Sequence, residues 1–444
     1  MFVIKVSLII LFIYTLLPTI LTRLFSLGAV QRGPRGHKEI FFTFDDGPDP
    51  IHTPQVLAVL KRHRITATFF VTGHNAQQHP EVIKQIIAAG HKIGIHSCQH
   101  RLAWLMTPWA TIKDIDIATT LVKNVTAQAP VLYRPPWGVF NIVNFFTFLI
   151  TGHRSVLWTF MGWDWTKNCT AEGITKLVSG RLKSGAILVL HDSAGPVGSS
   201  ARAPQVLVKA LPMIIEEIKQ QGYRIGSAET LHAWSHLGYG KRTTIFWWEL
   251  WERCFAWLAG VKPINGAVDA TFKLAVRKHH GQPITLPDGT MLNPGDLMGE
   301  LHFDNNLLLK LTSQSPHLEQ VGIKLLRHVK DSLPLVAEAL TTDPRYRNIK
   351  AVAGITMINR GARFFGFGTY DIYPKIFRLA TTWYQRWLLV VFHPQGVSHL
   401  LKHRSKMVPK MIAISKAELL RRYQNQSALT SGSINPAYGT TQAR

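Results

Sequence analysis

The sequence predicts an α/β domain, folded as a distorted (β/α) barrel of about seven strands, followed by a smaller α+β domain. Strand-like and helix-like segments alternate from Lys38 to Trp234, which implies parallel strands with helices outside. Polar motifs follow several of these strands, at the end where barrel enzymes keep their sites. The chain has 444 residues, too many for one ordinary core, so we expect a second domain.

The elements of the first domain follow one another along residues 38–234. Short apolar runs rich in β-branched and aromatic residues predict the strands, at Glu39–Phe44, Ala67–Val71, His91–Ile95, Val131–Arg134, Ser155–Phe160 and Ala186–Leu190. Helical periodicity predicts the helices between them, at Pro54–His63, Pro80–Ala89, Ile112–Val125, Ala171–Lys183 and Pro204–Gln221. Roughly seven such units in one domain favour a closed or nearly closed barrel.

Residues 1–30 contain an apolar segment. The run from Val6 to Thr22 carries no charge, is rich in Leu and Ile, and is flanked by Lys5 and Arg23. Its length is near the lower limit for spanning a bilayer. A cleaved signal segment is the alternative, but no convincing small-x-small cleavage site precedes Gln31. We therefore favour an uncleaved membrane anchor.

A second domain is predicted over residues 245–423. The glycine-containing stretch Ser235–Thr244 is expected to be a linker. An aromatic helix then begins near Phe246, and its spacing favours packing in the core or on the first domain over lying on a membrane. Further predicted elements are strands at Phe272–Arg277, Leu297–Phe303, Lys350–Ile358 and Leu388–Phe392, and helices at Ser315–Leu340 and Pro374–Arg386. Residues 424–444 are polar and are expected to be a disordered tail.

The amino-acid composition and net charge limit the classes of molecule that we expect this protein to bind. Hydrophobic residues are 46% and charged residues 17%, which excludes wholesale disorder. A formal net charge of +24 suits nucleic acid, a lipid surface or an anionic wall polymer, although a solvated surface without a special partner is the alternative. No aromatic-basic RNA signature or zinc-finger spacing occurs, so nucleic acid is disfavoured. The sparse cysteines, Cys98, Cys169 and Cys254, do not form a disulfide framework.

Two adjacent carboxylates end the first predicted strand. Asp45 and Asp46 precede a Gly-Pro turn. Neighbouring residues on a strand point in opposite directions, but a turn that begins at the second Asp lets both carboxylates reach one cleft. One can then bind a metal while the other stays free as a base. The alternative is that an Asp caps the turn or the following helix.

Two histidines suggest a metal site. His96 and His100 are four residues apart, so on a helix or a tight loop both imidazoles can face the same side and coordinate one metal ion. Cys98, between them, is expected to point away. Two His and one Asp leave coordination open for water, as a catalytic site requires. Zinc is the natural ion for these ligands, although other divalent ions fit, and ordinary surface or core histidines are the alternative.

The remaining motifs supply candidates for an acid and for an oxyanion donor. His191 follows a buried-looking strand, and Asp164 can hold one of its ring nitrogens and favour the protonated form. Arg134 can pair with Asp45 and hold it ionised and oriented. A backbone N–H near Trp137 can serve as an oxyanion donor. The alternatives are that Trp163 and Trp165 are core residues and Asp164 caps the following segment, and that Arg134 forms a surface ion pair.

With these motifs together, residues 38–234 resemble a polysaccharide deacetylase of the NodB-homology type, carbohydrate esterase family 4. The motifs are Thr43–Pro48, His96–His100, Arg134–Gly138, Trp163–Trp165 and Leu188–Asp192, and Ala67–Gly73 resembles the family's second strand. The resemblance covers somewhat under half the chain. Residues 245–423 resemble uncharacterised C-terminal units that accompany some bacterial deacetylases, and that weaker match implies no activity.

The resemblance implies a role for each site residue. Asp45 would be the catalytic base, and Asp46, His96 and His100 the ligands of a divalent metal, expected to be Zn²⁺. Arg134 would orient the base, and Asp164 would partner the general acid His191. The Trp137 amide would line the oxyanion hole, and Trp165 and Leu190 would line the pocket for the acetyl methyl group.

Two positions depart from the family pattern. Met161 stands where another Asp is common, so a supporting hydrogen bond is expected to be missing. Trp137 stands where Tyr is common, but only its backbone is needed.

The implied function is metal-dependent hydrolysis of N-acetyl groups on an N-acetylglucosamine-containing polysaccharide, with cell-wall peptidoglycan the first expectation. The alternatives are a chitin-oligosaccharide deacetylase and a catalytically silent glycan-binding protein. Such polymers lie outside the cell, so we expect a membrane anchor with an extracellular catalytic domain, and anionic wall polymers as further partners. The basic residues Arg23, Arg32, Arg35 and Lys38 favour the opposite orientation by the positive-inside rule.

Overall fold

Within the residues that the structure describes, nine parallel strands form the sheet of the first of two units, Met1–Arg242 and Thr243–Arg444. The computed structural model describes residues 1–35, 38–195, 199–264, 271–304, 307, 318–357, 359, 361–392 and 408–424. The strands are β1 Ala29–Val30, β2 Glu39–Asp45, β3 Thr68–Val71, β4 Lys92–Ile95, β5 Leu132–Tyr133, β6 Arg154–Val156, β7 Phe160–Met161, β8 Ala186–His191 and β9 Arg224–Ile225.

The strand order places β2 at the centre of the sheet. The order is β1-β6-β5-β4-β3-β2-β8-β7, with β9 also paired to β2. The register sets Asp45 opposite Phe70 of β3 and His191 of β8. Because parallel strands end at the same edge of a sheet, residues that follow β2, β4 and β8 share one edge.

Helices surround this sheet and bury its apolar faces. Their bounds are His52–Arg62, Gly73–Gln78, Pro80–Ala88, Pro108–Thr126, Ile142–Thr151, Ala171–Ser179, Ala203–Gln220 and Ala228–His236. Several begin at a side chain that caps the first backbone N–H groups, namely Thr72, Thr107, Asn141, Thr170 and Ser227. Phe42 and Phe44 of β2 and Leu188 of β8 lie in the main core cluster.

The predicted α/β fold class is confirmed, with more strands than the seven expected. The strands β1, β7 and β9, none of which was predicted as a separate strand, have two residues each, which is too short to show periodicity in the sequence. The predicted strand Ser155–Phe160 is divided between β6 and β7, with Leu157–Thr159 between them.

The N-terminal helix, Phe2–Phe25, is long and apolar enough to cross a membrane by length and composition. Residues 1–13 are exposed throughout, whereas contacts with the rest of the unit begin at Tyr14. The Tyr14 hydroxyl donates to the carbonyl of Met106 at 2.7 Å, and the Thr19 hydroxyl donates to the carbonyl of Phe140 at 3.0 Å. The second half of the helix is therefore packed on the first unit.

The second unit has an α+β architecture, as predicted. Its strands are β10 Lys262–Pro263, β11 Phe272–Lys278, β12 Ile284–Thr285, β13 Met291–Leu292, β14 Leu297–Phe303, β15 Ala351–Thr356, β16 Gly368–Tyr370 and β17 Lys410–Ser415. Six of them form a mixed sheet in the order β10-β11-β14-β15-β17-β16, and β12 pairs with β13. The helices are Tyr239–Leu258, Leu318–Thr342, Lys375–Phe392 and Lys416–Tyr423.

One strand prediction for this region is wrong. The expected strand Leu388–Phe392 is the end of a helix, because a short apolar run fits either structure. The expected linker Ser235–Thr244 contains the boundary between the two units, and most of it is helical despite its glycines. The start of the predicted helix at residues 315–317, the end of a predicted strand at Ile358 and the predicted tail at residues 425–444 lie outside the described residues.

Candidate active site

Asp45 and Asp46 face one cleft because the chain turns between them. β2 ends at Asp45, and Asp46 has φ = 74°, a left-handed conformation that is unusual for a residue other than Gly. The amide of Asn75 holds this turn by donating to the carbonyl of Asp46 at 2.9 Å. Both carboxylates are buried. Strained backbone of this kind is found where the surroundings force a functional geometry.

Asp46, His96 and His100 form a cluster that can hold a metal ion. Their ligand atoms all lie within 4.8 Å of one another. Oδ1 of Asp46 is 3.1 Å from Nε2 of His100 and 3.4 Å from Nε2 of His96. The histidines lie on a tight loop after β4, in which Ser97 and His100 both have positive φ. Cys98 is not part of the cluster, and its backbone N–H donates to Asp114.

The donor set fits a divalent cation. In a tetrahedral zinc site with bonds of about 2.0–2.2 Å, ligand atoms are roughly 3.4 Å apart, close to the separations seen. Oδ1 of Asp46 is buried and has no hydrogen-bond partner among the described residues. Nδ1 of His96 lies 2.7 Å from the carbonyl of Arg134, to which it can donate, and this leaves Nε2 as the ligand atom.

The electrostatics of the cluster also suit a cation. Burial lowers the pKa of His96 to about 4. Burial raises the pKa of Asp46, but the neighbouring imidazoles of His100, His191 and His96 outweigh it and hold that pKa below its ordinary value. A neutral imidazole and an ionised carboxylate are the protonation states that bind a metal.

Arg134 connects the base candidate to the sheet. Its Nη1 donates to Oδ1 of Asp45 at 2.6 Å and to the Thr43 hydroxyl at 2.8 Å. Nε and Nη2 donate to the carbonyls of Val156 and Leu157. Arg134 is completely buried, and its guanidinium lies 4.1 Å from the ring centre of Phe70. The Asp45 carboxylate is thereby fixed in one orientation, with its charge compensated.

His191 and Asp164 form the second ionisable pair. Nδ1 of His191 lies 3.0 Å from Oδ1 of Asp164, whose Oδ2 accepts the backbone N–H of His191 at 2.7 Å. Burial lowers the pKa of His191, but the charge and hydrogen bond of Asp164 and the charges of Asp46 and Asp45 outweigh it, so the pKa is raised to about 9. The imidazole is therefore protonated at neutral pH and can serve as an acid.

Three further predicted residues lie around these pairs. The half-exposed Trp137 has φ = 55°, and its ring centre is 4.4 Å from that of His100. Trp165 donates from its indole N–H to the sulfur of Met161 at 3.1 Å. Leu190 is buried in β8, one residue before His191. Met161 therefore contacts Trp165. Both carboxylate oxygens of Asp164 contact His191, and Met161 takes no part in these contacts.

Sequence reasoning missed Asp192 as a site residue. Its carboxylate accepts a hydrogen bond from the Thr53 hydroxyl. A Cβ on Gly47 would lie 2.5–2.6 Å from the Asp192 oxygens, so this carboxylate packs directly beneath the turn that carries Asp46. Burial raises the pKa of Asp192 to about 7. The feature of the sequence that could have identified Asp192 is its position directly after His191.

Arg23 was also missed, because a charge beside an apolar run was interpreted as a topology signal. Its guanidinium donates to the backbone carbonyls of Gly138 and Trp137. The loop that carries Trp137 is therefore in contact with the N-terminal helix.

Comparisons with known proteins agree with this arrangement. Residues 32–143 match the sequence model of the family described as polysaccharide deacetylase, and residues 241–423 match that of the YkoP domain. A peptidoglycan-N-acetylglucosamine deacetylase of Bacillus cereus is 36% identical over 46% of this chain and 92% of its own length. A chitooligosaccharide deacetylase of Bradyrhizobium is 31% identical over 48% and 100% of the two chains.

A third relative, a peptidoglycan-N-acetylmuramic acid deacetylase of Bacillus subtilis, is 34% identical over 46% of this chain and 74% of its own length. All three matches cover under half of this chain and most or all of the relative. The resemblance expected from the motifs is thereby confirmed: the chain belongs to the polysaccharide deacetylase family and is a hydrolase of that class.

Proposed function

We propose that the first unit removes N-acetyl groups from an N-acetylglucosamine-containing polysaccharide, with peptidoglycan as the first substrate. One observation carries the proposal: the Asp46, His96 and His100 cluster lies beside Asp45 on β2 and His191 on the adjacent β8. A base, an acid and a cation site on one sheet edge are what amide hydrolysis requires. Two of the three relatives are named for peptidoglycan and one for chitooligosaccharides.

Asp45 and His191 divide the proton transfers of the proposed reaction. Asp45, held by Arg134, accepts a proton from the water that attacks the acetyl carbonyl. His191, protonated beside Asp164, gives its proton to the departing sugar amine. Acid–base assistance of this kind contributes about 10²–10⁴-fold to a rate. The products are acetate and a free amine on the sugar.

The Trp137 amide, Trp165 and Leu190 complete the proposed site. The amide would donate to the oxyanion as the carbonyl carbon becomes tetrahedral, and such a donor is worth about 10²–10³-fold. Trp165 and Leu190 would enclose the acetyl methyl group. Asp46, His96 and His100 would hold a divalent cation, for which we propose Zn²⁺, and a cation bound there polarises a carbonyl and lowers the pKa of water.

We assign catalysis to residues 38–234 and attachment at the cell membrane to residues 1–30, with the catalytic domain on the extracellular side. The apolar N-terminal helix supports attachment through its exposed residues 1–13, since its second half packs on the first unit, while the basic residues after it argue for the other orientation. Anionic wall polymers are proposed as partners because of the net charge of +24. Residues 245–423 have no proposed activity.

The decisive experiment measures acetate release from peptidoglycan, chitin oligomers and acetylated xylan, with and without chelator. Zinc content of the purified protein is measured in parallel. We expect chelator-sensitive release, and we expect Asp46→Asn and His96→Gln to lose both release and bound metal. Asp116→Asn and His280→Gln change exposed residues outside the site and serve as matched controls.

The outcomes separate the competing functions. Release from chitin oligomers alone would favour the chitin-oligosaccharide alternative. Glycan binding by the metal-loaded protein without acetate release would favour the silent binding protein. Unchanged release in both site variants would exclude this site as the catalytic centre.

A further inference from the structure

The last turn of the N-terminal helix touches the loop that carries the proposed oxyanion donor. Arg23 donates from Nε to the carbonyl of Gly138 at 3.3 Å and from Nη2 to the carbonyl of Trp137 at 3.4 Å. Its guanidinium also stacks 4.2 Å from the ring centre of Trp158. One cation thus joins two successive carbonyls of the loop and an aromatic side chain beside it.

The loop needs such external support. Trp137 has φ = 55°, a conformation that costs free energy for a bulky residue and persists only when its surroundings impose it. Gly138 has φ = 63°, and a Cβ there would collide with Nη2 of Arg23. Gly138 therefore permits both the turn and the close approach of the guanidinium.

The helix that carries Arg23 is itself fixed to the unit. The Thr19 hydroxyl donates to the carbonyl of Phe140, and the backbone N–H of Phe140 lies 2.9 Å from the same hydroxyl oxygen. The indole N–H of Trp104 lies 3.2 Å from it. Beyond the helix, the Gln31 side chain donates to the carbonyls of Thr22 and Arg23, which holds the helix end. Arg23 is therefore presented at a defined position.

We infer that Arg23 is a positioning residue for the Trp137 amide. The second half of the N-terminal helix, which carries Arg23, thereby contributes to the deacetylase site. The inference rests on the proposed function, because it concerns the same oxyanion donor. Arg23 touches no reacting group; it acts by restricting the loop to the conformation that aims the amide. Cleavage before Gln31 would remove Arg23 and Thr19, so the inference also requires that the segment be retained.

The test uses the full chain in detergent, loaded with zinc, acting on a soluble chitin oligomer. In Arg23→Met we expect kcat to fall about 10- to 100-fold, because an oxyanion donor is worth about 10²–10³-fold and the loop still samples the right conformation. KM should change less than about twofold, since ground-state binding is not removed. Arg23→Lys should recover part of kcat, because a lysine reaches one carbonyl but cannot donate to two carbonyls at once as the planar guanidinium does.

Hydrogen–deuterium exchange supplies a readout that does not depend on turnover. In Arg23→Met we expect faster exchange of the backbone amides at residues 137–140. The backbone amides of residues 92–96, in β4 and directly after it, should exchange at the same rate as in the wild type. Lys5→Met alters a charge in the exposed half of the same helix and should match the wild type in both measurements.

Three results would overturn the inference. One is a wild-type kcat in Arg23→Met, and another is unchanged exchange at residues 137–140. The third is a general rise in exchange across the unit together with a lower Tm, which would make Arg23 a structural residue only. If the wild type released no acetate, the proposed function would fail, while the exchange measurement would still decide whether Arg23 holds the loop.

Discussion

Arg134 and Asp45 form a completely buried ion pair, with Nη1 of the arginine 2.6 Å from Oδ1 of the aspartate. The arginine also donates to Thr43 and to two backbone carbonyls, so its donors are largely used. Removing one member of a buried pair leaves an uncompensated charge and costs about 3–5 kcal/mol. The pair therefore links the orientation of the proposed base to the stability of the sheet.

Arg134→Lys tests the guanidinium separately from its charge. Lysine keeps the positive charge but lacks the planar guanidinium, whose several N–H donors reach Asp45, Thr43 and the backbone carbonyls at the same time. We expect kcat to fall about 10²-fold, as for a misplaced catalytic group, and the midpoint of urea unfolding to decrease. Steady-state kinetics and urea titration measure the two effects. A variant with normal kcat would show that Asp45 does not depend on Arg134 for its position.

Asp164→Asn tests the origin of the raised pKa of His191. Because Asp164 raises the pKa of His191, the imidazolium is present at neutral pH and is lost at alkaline pH, so kcat should decline on the alkaline side. Asparagine keeps an acceptor for Nδ1 but removes the negative charge, so the decline should move to lower pH. Rate–pH profiles of both proteins measure this shift, and superimposed profiles would contradict the assignment.

The same pair makes a prediction for stability. Because the pKa of His191 is higher in the folded state, its contribution to stability is fully present below the unfolded value of about 6.5 and is lost as pH rises through about 9. The difference in unfolding free energy between the wild type and Asp164→Asn should therefore be largest near pH 6 and shrink by pH 10. Urea unfolding at the two pH values checks the sign.

Some of this architecture was predictable from the sequence, for reasons visible in particular residues. The long apolar strands β2 and β8 fixed the fold class, and the Gly-Pro turn after Asp46 indicated that both carboxylates share a cleft. The short strands β7 and β9 have no periodicity to detect. The contact between Arg23 and Gly138 joins residues 115 positions apart, and no local pattern marks a pair of that kind.

Gly47→Ala tests the packing of Asp192 beneath the metal-binding turn. The new Cβ would lie 2.5–2.6 Å from the carboxylate oxygens of Asp192, which the Thr53 hydroxyl holds in place. We expect a loss of about 1–3 kcal/mol in unfolding free energy, and weaker metal binding because Asp46 shifts with the turn. Thermal unfolding and zinc titration measure the two effects.

A second substitution makes the steric argument specific. In the double variant Gly47→Ala with Asp192→Ala, the clash is relieved, so the loss of stability should be smaller than the sum of the two single losses. Gly240→Ala, at a glycine with open space around it, is the control and should not destabilise the protein. Strict additivity in the double variant would mean that the two residues do not collide.

Truncation after Thr244 tests whether catalysis belongs to the first unit alone. The main core cluster and every proposed site residue lie before this point, and the sheet pairs no strand of residues 1–242 with a later strand among the described residues. We therefore expect the shortened chain to fold and to release acetate from a soluble chitin oligomer with kcat within about twofold of the full chain. Asp46→Asn in the shortened chain should abolish this release, which would show that the same site is responsible. A folded, zinc-loaded chain without turnover would instead place an essential group in residues 245–444.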